Sequence, residues 1–342
     1  FQQQSSQPQS SLSPAALVGI GMVFAGCCSN VFFLELIIKE APSSGNIVTF
    51  FQFLFIAAHG FVTTAKFGRA RRAIPLSYYA LMVSMFFVVQ VVNNYALNFN
   101  ISMPLHMIFR SGSLMANLVL GVLILNKSYP LSKYASVLVI TAGIVVCTIE
   151  SASDARRPPA DEAEAAAAAS EQVELLRWCL GVLMLVFALF MSARMGIFQE
   201  ETYRKYGKHP DESLFYNHCL PLPGFLLLSA DIWQHVRLFS ESAPMWPLPV
   251  PRLWVWLAGN VLTQYLCIRG VFILTTECSS LTVTLVVTLR KFSSLIFSIF
   301  YFNNRFTGMH WLGTICVFGG TLIFTETHQR LRNLLLDNRK KS

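Results

Sequence analysis

Long runs of apolar residues recur along the chain and are separated by short polar segments. Each run has about the 20 residues that a helix needs to cross the hydrocarbon core of a bilayer, which is about 30 Å thick. The pattern therefore predicts an all-α membrane protein with ten transmembrane helices. The predicted spans are 14–38, 46–65, 74–97, 101–125, 131–150, 174–198, 213–232, 252–274, 279–302 and 308–328.

The polar segments divide the chain into five predicted regions. Residues 151–173 contain Arg-Arg-Pro-Pro and an acidic, alanine-rich run, which is typical of a flexible linker between two five-helix halves. The predicted regions are a disordered leader at 1–13, a first half at 14–150, the linker at 151–173, a second half at 174–328 and a basic tail at 329–342.

The two halves share a weak internal repeat. A shift of 177 positions lays 134–148 over 311–325, matches Gly143 with Gly320, and brings Arg110 close to Arg290. Because each half has an odd number of spans, the two copies run in opposite directions. The sequence thus predicts two inverted five-helix repeats, with a binding site at their interface near mid-membrane.

The composition supports a membrane protein and excludes a soluble one. Hydrophobic residues make up 54% of the chain and charged residues only 13%, whereas soluble domains have about 25% charged residues. A net charge of +8 would indicate nucleic acid as the partner of a soluble protein. Here the basic residues lie mainly in loops, so we expect membrane lipids and no nucleic acid as partners.

The basic loop residues also predict the orientation. If the N-terminus is cytosolic, the cytosolic segments hold fourteen Lys and Arg residues and the opposite side holds seven. The positive-inside rule then places both termini in the cytosol and the 151–173 linker in the lumen. Five further basic residues lie inside predicted spans: Arg110, Arg194, Arg269, Arg290 and Lys291. Of these, Arg194 and Arg269 lie near cytosolic ends and are expected to anchor the helices at the interface.

The eight cysteines lie within apolar runs or at their edges rather than in loops. This placement argues against a disulfide framework and against a zinc site. We expect no metal, no cofactor and no catalytic residue.

The fourth span carries a polar stripe of His106, Arg110, Ser113 and Asn117, at spacings that place them on one helical face. An arginine at mid-membrane is costly unless it meets water or a counter-charge, so this face is expected to border a solvated cavity. The alternative is that Arg110 caps a helix end or pairs within the bundle.

The ninth span repeats this arrangement. Thr284, Thr288 and Lys291 share one face, and Arg290 begins an adjacent stripe that continues with Ser294 and Ser298. Two adjacent cations in an apolar helix repel each other unless an anion is near. A pyrophosphate would satisfy both, with Arg as a bidentate donor and Lys as a compact charge. The alternative is that one cation reaches toward the membrane interface.

The seventh span contains the string Phe215, Tyr216, Asn217 and His218, followed by two prolines at 221 and 223. Tyrosine can stack on a base and asparagine can hydrogen-bond to its edge, while the prolines bend the helix. A packed aromatic with an interhelical hydrogen bond is the alternative interpretation.

Uncharged amides supply further candidates for binding sugar hydroxyls. The candidates are Asn94 in the third span, with Asn93 and Asn98 nearby, and Asn260 and Gln264, one turn apart in the eighth span. Hydrogen bonds between helices would explain the same residues equally well.

Six blocks carry a family resemblance: AGCCSNVFFLELI at 25–37, GNIVTFFQFLFIA at 45–57, VVNNYALNFNISMPLHMIFRSGSLMANLVLG at 91–121, SARMGIFQEE at 192–201, LFYNHCLPLPGF at 214–225 and IRGVFILTTECSSLTVTLVVTLRKFSSLIFSI at 268–299. They resemble the nucleotide-sugar transporter family of the drug/metabolite transporter superfamily, and within it the members that carry UDP-xylose and UDP-N-acetylglucosamine. The resemblance extends from residue 17 to 328 and leaves out the leader, the linker and the tail.

This resemblance implies a ten-helix fold that works by alternating access in the Golgi or endoplasmic reticulum membrane. The implied activity is exchange of a cytosolic UDP-sugar, UDP-xylose and/or UDP-N-acetylglucosamine, for lumenal UMP. In related GDP-mannose transporters a Phe-Tyr-Asn-Asn string contacts the nucleobase and a ninth-span motif ending in Lys contacts phosphate. Phe215, Tyr216 and Asn217 match the string, His218 departs from it, and Lys291 occupies the place of the motif's lysine.

Three other classes compete with this interpretation. A membrane enzyme that uses nucleotide sugars would require acidic residues at the cavity, and Glu200-Glu201 lies instead in a basic cytosolic loop. A generic phosphometabolite exporter of the same fold remains an alternative, although paired cations favour a phosphorylated anion over a neutral compound. Ten spans in inverted halves disfavour a receptor.

Overall fold

The structure is a computed structural model that describes residues 13–99, 101–126, 128–155, 164–207, 209–245, 247, 249–278 and 280–324. Within this part of the chain every regular element is helical. The α-helices are α1 (Pro14–Glu40), α2 (Gly45–Thr63), α3 (Leu76–Ala96), α4 (Met103–Ser111), α5 (Ser113–Leu125), α6 (Leu131–Ala155), α7 (Glu164–Tyr206), α8 (Pro210–Cys219), α9 (Ser229–Glu241), α10 (Arg252–Glu277), α11 (Ser280–Phe302) and α12 (Gly308–Phe324). A 3-10 helix (Leu222–Leu228) joins α8 to α9.

Serine and proline residues fix the starts of two of these helices. Ser13 caps α1 by accepting a hydrogen bond from the Ala16 amide at 3.1 Å, and Pro14 follows it directly. Ser102 caps α4 in the same way. A side-chain oxygen at this position satisfies an amide that has no partner within the helix, and proline fits the first helical turn because it lacks that amide.

Eight helical segments of the described chain are long and apolar enough to cross a membrane, with α4 and α5 counted as one segment. The protein is therefore a multi-pass helical membrane protein. The eight segments coincide with eight of the ten predicted spans. The tenth predicted span corresponds to α12, which has 17 residues and is followed by residues outside the described part.

The seventh predicted span, 213–232, is not one continuous helix, and that expectation is corrected. The chain instead forms α8, the 3-10 helix and α9 in succession. Pro221 and Pro223 lie at the break. Proline lacks an amide hydrogen and clashes with the preceding turn, so the regular hydrogen-bond ladder cannot pass through this point.

The fourth span is also divided. Helix α4 ends at Ser111, Gly112 forms a turn, and α5 begins at Ser113. The Gly112 amide bonds to the Phe109 carbonyl at 2.9 Å, so the chain tightens here. The single continuous helical face expected for the polar stripe is therefore interrupted between Arg110 and Ser113.

Two helices extend into the segment 151–173, which is predicted to be the linker. Helix α6 continues to Ala155 and α7 begins at Glu164, because alanine has the highest intrinsic helix propensity and the segment after 164 is rich in it. Residues 156–163 lie outside the described residues, as do 1–12 of the predicted leader and the predicted tail at 329–342.

The helices pack in a recurring set of pairs. The most extensive contacts join α1 to α10, α6 to α12, α3 to α7 and α2 to α8. Smaller contacts join α1 to α11, α5 to α7 and α4 to α11. Glycines allow the closest approaches: a Cβ added at Gly143 of α6 would lie 2.5 Å from the Gly313 carbonyl oxygen of α12. Small residues at such crossings are typical of membrane helix pairs.

One pair of cysteines corrects the expectation from sequence. Cys27 of α1 forms a disulfide with Cys267 of α10. The two residues lie at a crossing where a Cβ on Gly26 would be 2.6 Å from the Cys267 amide nitrogen, so the backbones are close enough for the bond. Their placement inside apolar runs did not prevent the pairing, because the runs pack directly against each other.

Candidate functional site

A cavity of about 120 Å³ lies between α3, α4, α5 and α7. Its polar lining comes from Gln90, Asn93, Arg110, Ser113 and Ser192. Arg110 has an exposed side chain, although it lies within a membrane-spanning segment. An arginine at this depth that opens onto a polar cavity keeps access to water or to an anion.

A second cavity, of about 260 Å³, lies on the other side of the fourth span, between α4, α5, α11 and α12. Ser113, Thr288, Lys291 and Thr321 contribute polar groups to its lining. Ser113 lines both cavities. The break at Gly112 therefore lies between two polar spaces within the bundle.

Lys291 connects α11 to this break. Its Nζ donates to the carbonyl oxygen of Arg110 at 3.4 Å. This carbonyl belongs to the last turn of α4, where carbonyl groups lack partners within the helix and the helix dipole favours a positive charge. The cation and the helix end are thus electrostatically matched.

Arg290 lies beside Lys291 but has different surroundings. Its Nε is buried and has no hydrogen-bond partner within the described chain. The charges of Arg110 and Arg290 both act on Lys291 and repel its charge. No carboxylate of the described residues forms a salt bridge with any of the three cations. The three cations therefore lie within membrane-spanning segments without a carboxylate partner among the described residues.

The other two members of the fourth-span stripe do not line either cavity. His106 is buried, its ring hydrogen-bonds to the Asn93 backbone, and its Nε2 has no partner among the described residues. Asn117 of α5 is exposed. Of the four positions that the regular spacing placed on one face, only Arg110 and Ser113 therefore line a common cavity.

Helix α8 presents the aromatic and amide string. Phe215 is buried against Gly60 of α2. The Tyr216 ring stacks on the Tyr79 ring of α3, with 4.8 Å between centroids. Asn217 follows, and its Oδ1 is buried without a hydrogen-bond partner in the described chain. An orphaned buried amide oxygen is unfavourable unless a donor reaches it.

His218 closes the string with a bond to its own helix. Its Nδ1 donates to the Leu214 carbonyl at 2.7 Å. The ring meets Phe53 edge-on at 4.8 Å and Phe86 at 5.7 Å. Phe86 also lines the Arg110 cavity. The wall of that cavity therefore continues into the packing around the α8 string.

The amide candidates form bonds between helices. Asn94 Nδ2 of α3 donates to Asn46 Oδ1 at 3.2 Å and to Thr49 Oγ1 at 2.9 Å, both on α2. Asn260 of α10 is fully buried. Its Nδ2 donates to the Asn30 carbonyl oxygen of α1 at 3.0 Å, and Asn30 Nδ2 donates to the Asn260 carbonyl oxygen at 2.9 Å. These contacts agree with the interhelical alternative.

Three other sequence candidates are placed as follows. Thr288 is buried and lines the second cavity beside Lys291. Gln264 is half-buried on α10, one turn after Asn260. The side chain of Thr284 lies outside the described residues.

Glu35 of α1 is a buried acidic residue that the sequence patterns did not identify as a candidate. It is 0% exposed and accepts hydrogen bonds from Ser298 Oγ and Asn304 Nδ2, each at 2.6 Å. The signal available in the sequence was an acidic residue near the end of an apolar span. Its partners are 263 and 269 residues away along the chain, so sequence spacing could not identify them.

Fold and site together define a multi-pass helical membrane protein with a polar, cationic interior. The UAA transporter family matches residues 15–328, and the chain belongs to that family. It is therefore a transporter and not an enzyme, and the resemblance to nucleotide-sugar transporters is confirmed.

Individual relatives are similar over nearly their whole length. The UDP-xylose and UDP-N-acetylglucosamine transporter of Danio rerio is 59% identical over 315 residues, which cover 91% of this chain and 93% of that protein. The endoplasmic reticulum GDP-fucose transporter of Drosophila melanogaster is 50% identical over 333 residues, which cover 94% and 93%. A crystal structure with 14% identity aligns with a TM-score of 0.53 over 94% of this chain and 99% of that chain, which shows a shared fold.

Proposed function

We propose that this protein exchanges a cytosolic UDP-sugar, UDP-xylose and/or UDP-N-acetylglucosamine, for lumenal UMP by alternating access. The main support is the group of three interior cations, Arg110, Arg290 and Lys291, which lack a carboxylate partner within the described chain. Charges removed from water need a counter-charge. Phosphate, which is common to UDP-sugar and UMP, supplies one. The name of the Danio rerio relative gives the substrate class.

In this proposal Lys291, Arg290 and Arg110 bind phosphate. Lys291 offers a compact charge at the second cavity, and Arg110 offers a planar guanidinium at the first. Lys291 already donates to a neutral carbonyl, at 3.4 Å. A phosphate oxygen is a stronger acceptor because it is charged, so bound substrate would draw the lysine away from the helix end.

The uracil base is assigned to Phe215, Tyr216, Asn217 and His218. The orphaned Oδ1 of Asn217 needs a donor, and the N3–H of uracil is such a donor. The amide nitrogen of the same side chain can donate to the neighbouring uracil carbonyl. Phe215 and Tyr216 are the aromatic members of the string, with the Phe215 ring against Gly60 and the Tyr216 ring stacked on Tyr79.

The sugar candidates fall into three groups. Ser113 and Thr288 line the cavities and are assigned to the sugar hydroxyls, and His106 contributes its unpartnered Nε2. Asn94 and Asn260 act by holding helices together around the site. The third group consists of Asn117, Gln264 and Thr284, which are proposed for the sugar pocket on their sequence positions alone.

The helix pairs support ten spans in two inverted repeats. If α4 with α5 is the fourth span and α8 with α9 is the seventh, the fold has ten. A two-fold axis relating the first five spans to the last five would convert the α1–α10 pair into the α3–α7 pair. It would also convert α1–α11 into α5–α7, and would map α2–α8, α4–α11 and α6–α12 onto themselves. All of these pairs occur.

The proposed setting is the Golgi or endoplasmic reticulum membrane, with both termini cytosolic and the linker lumenal. The distribution of basic residues supports this orientation. A relative named as an endoplasmic reticulum transporter supports the compartment. Membrane lipids surround the helices, and exposed apolar side chains such as Leu138 and Ile149 of α6 suit that environment.

A second candidate substrate is a GDP-sugar, because the Drosophila relative is named a GDP-fucose transporter. A pocket separates two bases by a few hydrogen bonds, so similar chains can differ in substrate. The Asn217 oxygen, which has no partner in the described chain, could accept the N1–H of guanine in the same way.

A nucleotide competition panel tests the proposal. Purified protein in liposomes loaded with UMP is given labelled UDP-N-acetylglucosamine, and unlabelled UMP, UDP-xylose, GMP, GDP-fucose and glucose 6-phosphate compete separately. We expect uridine nucleotides to compete and the others to leave uptake unchanged. In a parallel arm, liposomes loaded with GMP are given labelled GDP-fucose, and exchange of that pair alone would transfer the proposal to GDP-sugars. Competition by glucose 6-phosphate would indicate a general phosphometabolite exporter.

A further inference from the structure

Helix α11, which carries Lys291, lies along α1 through a series of polar contacts. Cys28 Sγ of α1 is 3.9 Å from the Arg290 carbonyl oxygen. One turn further, Ser294 Oγ donates to Cys28 Sγ at 3.3 Å. One turn beyond that, Ser298 reaches Glu35. Successive turns of α11 are therefore attached to α1.

The attachment at Glu35 is the strongest of the series. Both carboxylate oxygens are used: Oε2 accepts from Ser298 Oγ and Oε1 accepts from Asn304 Nδ2, each at 2.6 Å. Asn304 also donates to the carbonyl and the hydroxyl of Ser298, each at 3.1 Å. The Phe32 ring packs beside this group against Tyr301, with 5.1 Å between centroids. The carboxylate is thus held by two donors in a place without exposure to solvent.

A carboxylate in such a place tolerates little change in geometry. Its burial is unfavourable unless its oxygens are hydrogen-bonded, so the two donors have to stay where they are. Ser298 is seven residues beyond Lys291, which places the two side chains on nearly the same face of α11, about two turns apart. The bonds at Ser298 fix the rotation of α11 about its axis and its position along that axis. They therefore also fix where the Lys291 side chain lies.

We propose that Glu35 is a positioning residue for phosphate binding. It holds α11 at the rotation and height that direct Lys291 into the second cavity, toward the end of α4. This inference rests on the proposed function, in which Lys291 binds the phosphate. Glu35 itself touches no ligand and acts through α11.

The test compares two ligands that differ only in phosphate. UMP and uridine share base and ribose, and their affinities are measured by ligand-induced thermal stabilisation of purified protein. We expect Glu35→Ala to weaken UMP by about 10-fold relative to uridine. Glu35→Gln should retain most of the preference, since its amide oxygen can accept from Asn304 and its amide nitrogen can donate to the Ser298 hydroxyl. Glu40→Gln is the matched control: Glu40 lies on the same helix but pairs with Arg252, which is 43% exposed.

A double mutant distinguishes positioning from a general structural role. If Glu35 acts through Lys291, then Glu35→Ala adds no further loss of UMP preference in the Lys291→Ala background. If Glu35→Ala does not yield folded protein, Ser298→Ala and Asn304→Ala, which each remove one donor, take its place in the same comparison.

The possible failures are distinct. If the parent protein does not prefer UMP to uridine, the proposed function is wrong. If the parent prefers UMP and Lys291→Ala loses that preference, but Glu35→Ala behaves like Glu40→Gln, the proposed function stands and the positioning role of Glu35 is wrong. Equal weakening of UMP and uridine binding by Glu35→Ala would also contradict the positioning role of Glu35.

Discussion

Lys291 Nζ on α11 lies 3.4 Å from the carbonyl oxygen of Arg110 on α4. The bond joins a helix of the second half of the chain to the point where the fourth span breaks. A cation at a helix C-terminus is favourable, but a phosphate is a better partner for it. In the proposed function, binding of substrate changes the partner of Lys291 and with it the connection between α4 and α11.

Replacement of this lysine is expected to remove most phosphate binding. Lys291→Ala deletes one charge-assisted contact, which is worth about 1.5 to 3 kcal/mol, so UMP and UDP-sugar should bind about 10- to 150-fold more weakly. Lys291→Arg should restore binding only in part, because a planar fork replaces a compact charge. Affinity is measured by ligand-induced thermal stabilisation.

Ser293→Ala is the control for this experiment, because Ser293 is an exposed residue on the same helix. It should bind both ligands like the parent. If Lys291→Ala also binds UMP and UDP-sugar like the parent, the lysine is a helix cap and not a phosphate ligand.

Asn217 is expected to act on every ligand that contains uracil. Asn217→Ala removes the acceptor and the donor assigned to the base, so UMP, UDP and all UDP-sugars should weaken together, each by about 1 to 3 kcal/mol. Competition for exchange in liposomes measures all of them under one condition. Weakening of a single UDP-sugar would place Asn217 in the sugar pocket instead.

The lumenal placement of the linker is tested by its accessibility to protease. A cleavage site inserted between residues 156 and 163 should be protected in sealed microsomes and cut after the membranes are opened with detergent. Protection follows from an odd number of spans before the linker and a cytosolic N-terminus. Cleavage in sealed microsomes would contradict the proposed orientation.

The crossing of α6 and α12 predicts a difference between two glycines of one helix. A Cβ at Gly313 would meet Cys147 Sγ and would lie 2.6 Å from the Gly143 carbonyl oxygen, whereas one at Gly319 would meet nothing within 4 Å. Gly313→Ala should therefore destabilise the protein by about 1 to 3 kcal/mol through overpacking. Thermal unfolding in detergent should show this loss for Gly313→Ala and no loss for Gly319→Ala. Equal melting temperatures for the two variants would contradict the close packing of α6 against α12.

Much of the fold was predictable because the membrane imposes a length on each helix. Eight predicted spans coincide with apolar helices of membrane length, and the bend at Pro221 and Pro223 was expected from the chemistry of proline. The break at Gly112 was not predicted. A single glycine does not lower the average hydropathy of an apolar run enough to reveal a break. The close packing at Gly112 involves Ile144 of α6, whose Cδ1 would lie 2.6 Å from a Cβ added at Gly112.

The candidate cavities were predictable in the types of residue that line them and less so in their arrangement. Arg110, Lys291 and Thr288 could be identified because charged and polar groups inside apolar spans are energetically costly unless they face a partner or a solvated cavity. The structure places all three on cavities. The network at Glu35 and the disulfide at Cys27 could not be derived in the same way. Both depend on which helices become neighbours, and the spacing of residues within one helix contains no information about that.

Obligatory exchange is the central claim, and counterflow measures it directly. Purified protein is reconstituted into liposomes that contain UMP, uridine or buffer, and uptake of UDP-xylose and of UDP-N-acetylglucosamine, each labelled in the sugar, is followed over time. The account predicts rapid uptake of the intact molecule only into liposomes that contain UMP, with release of UMP in equal amount. Uptake that is the same into buffer-filled liposomes, or the absence of uptake for every UDP-sugar despite folded protein, would contradict it.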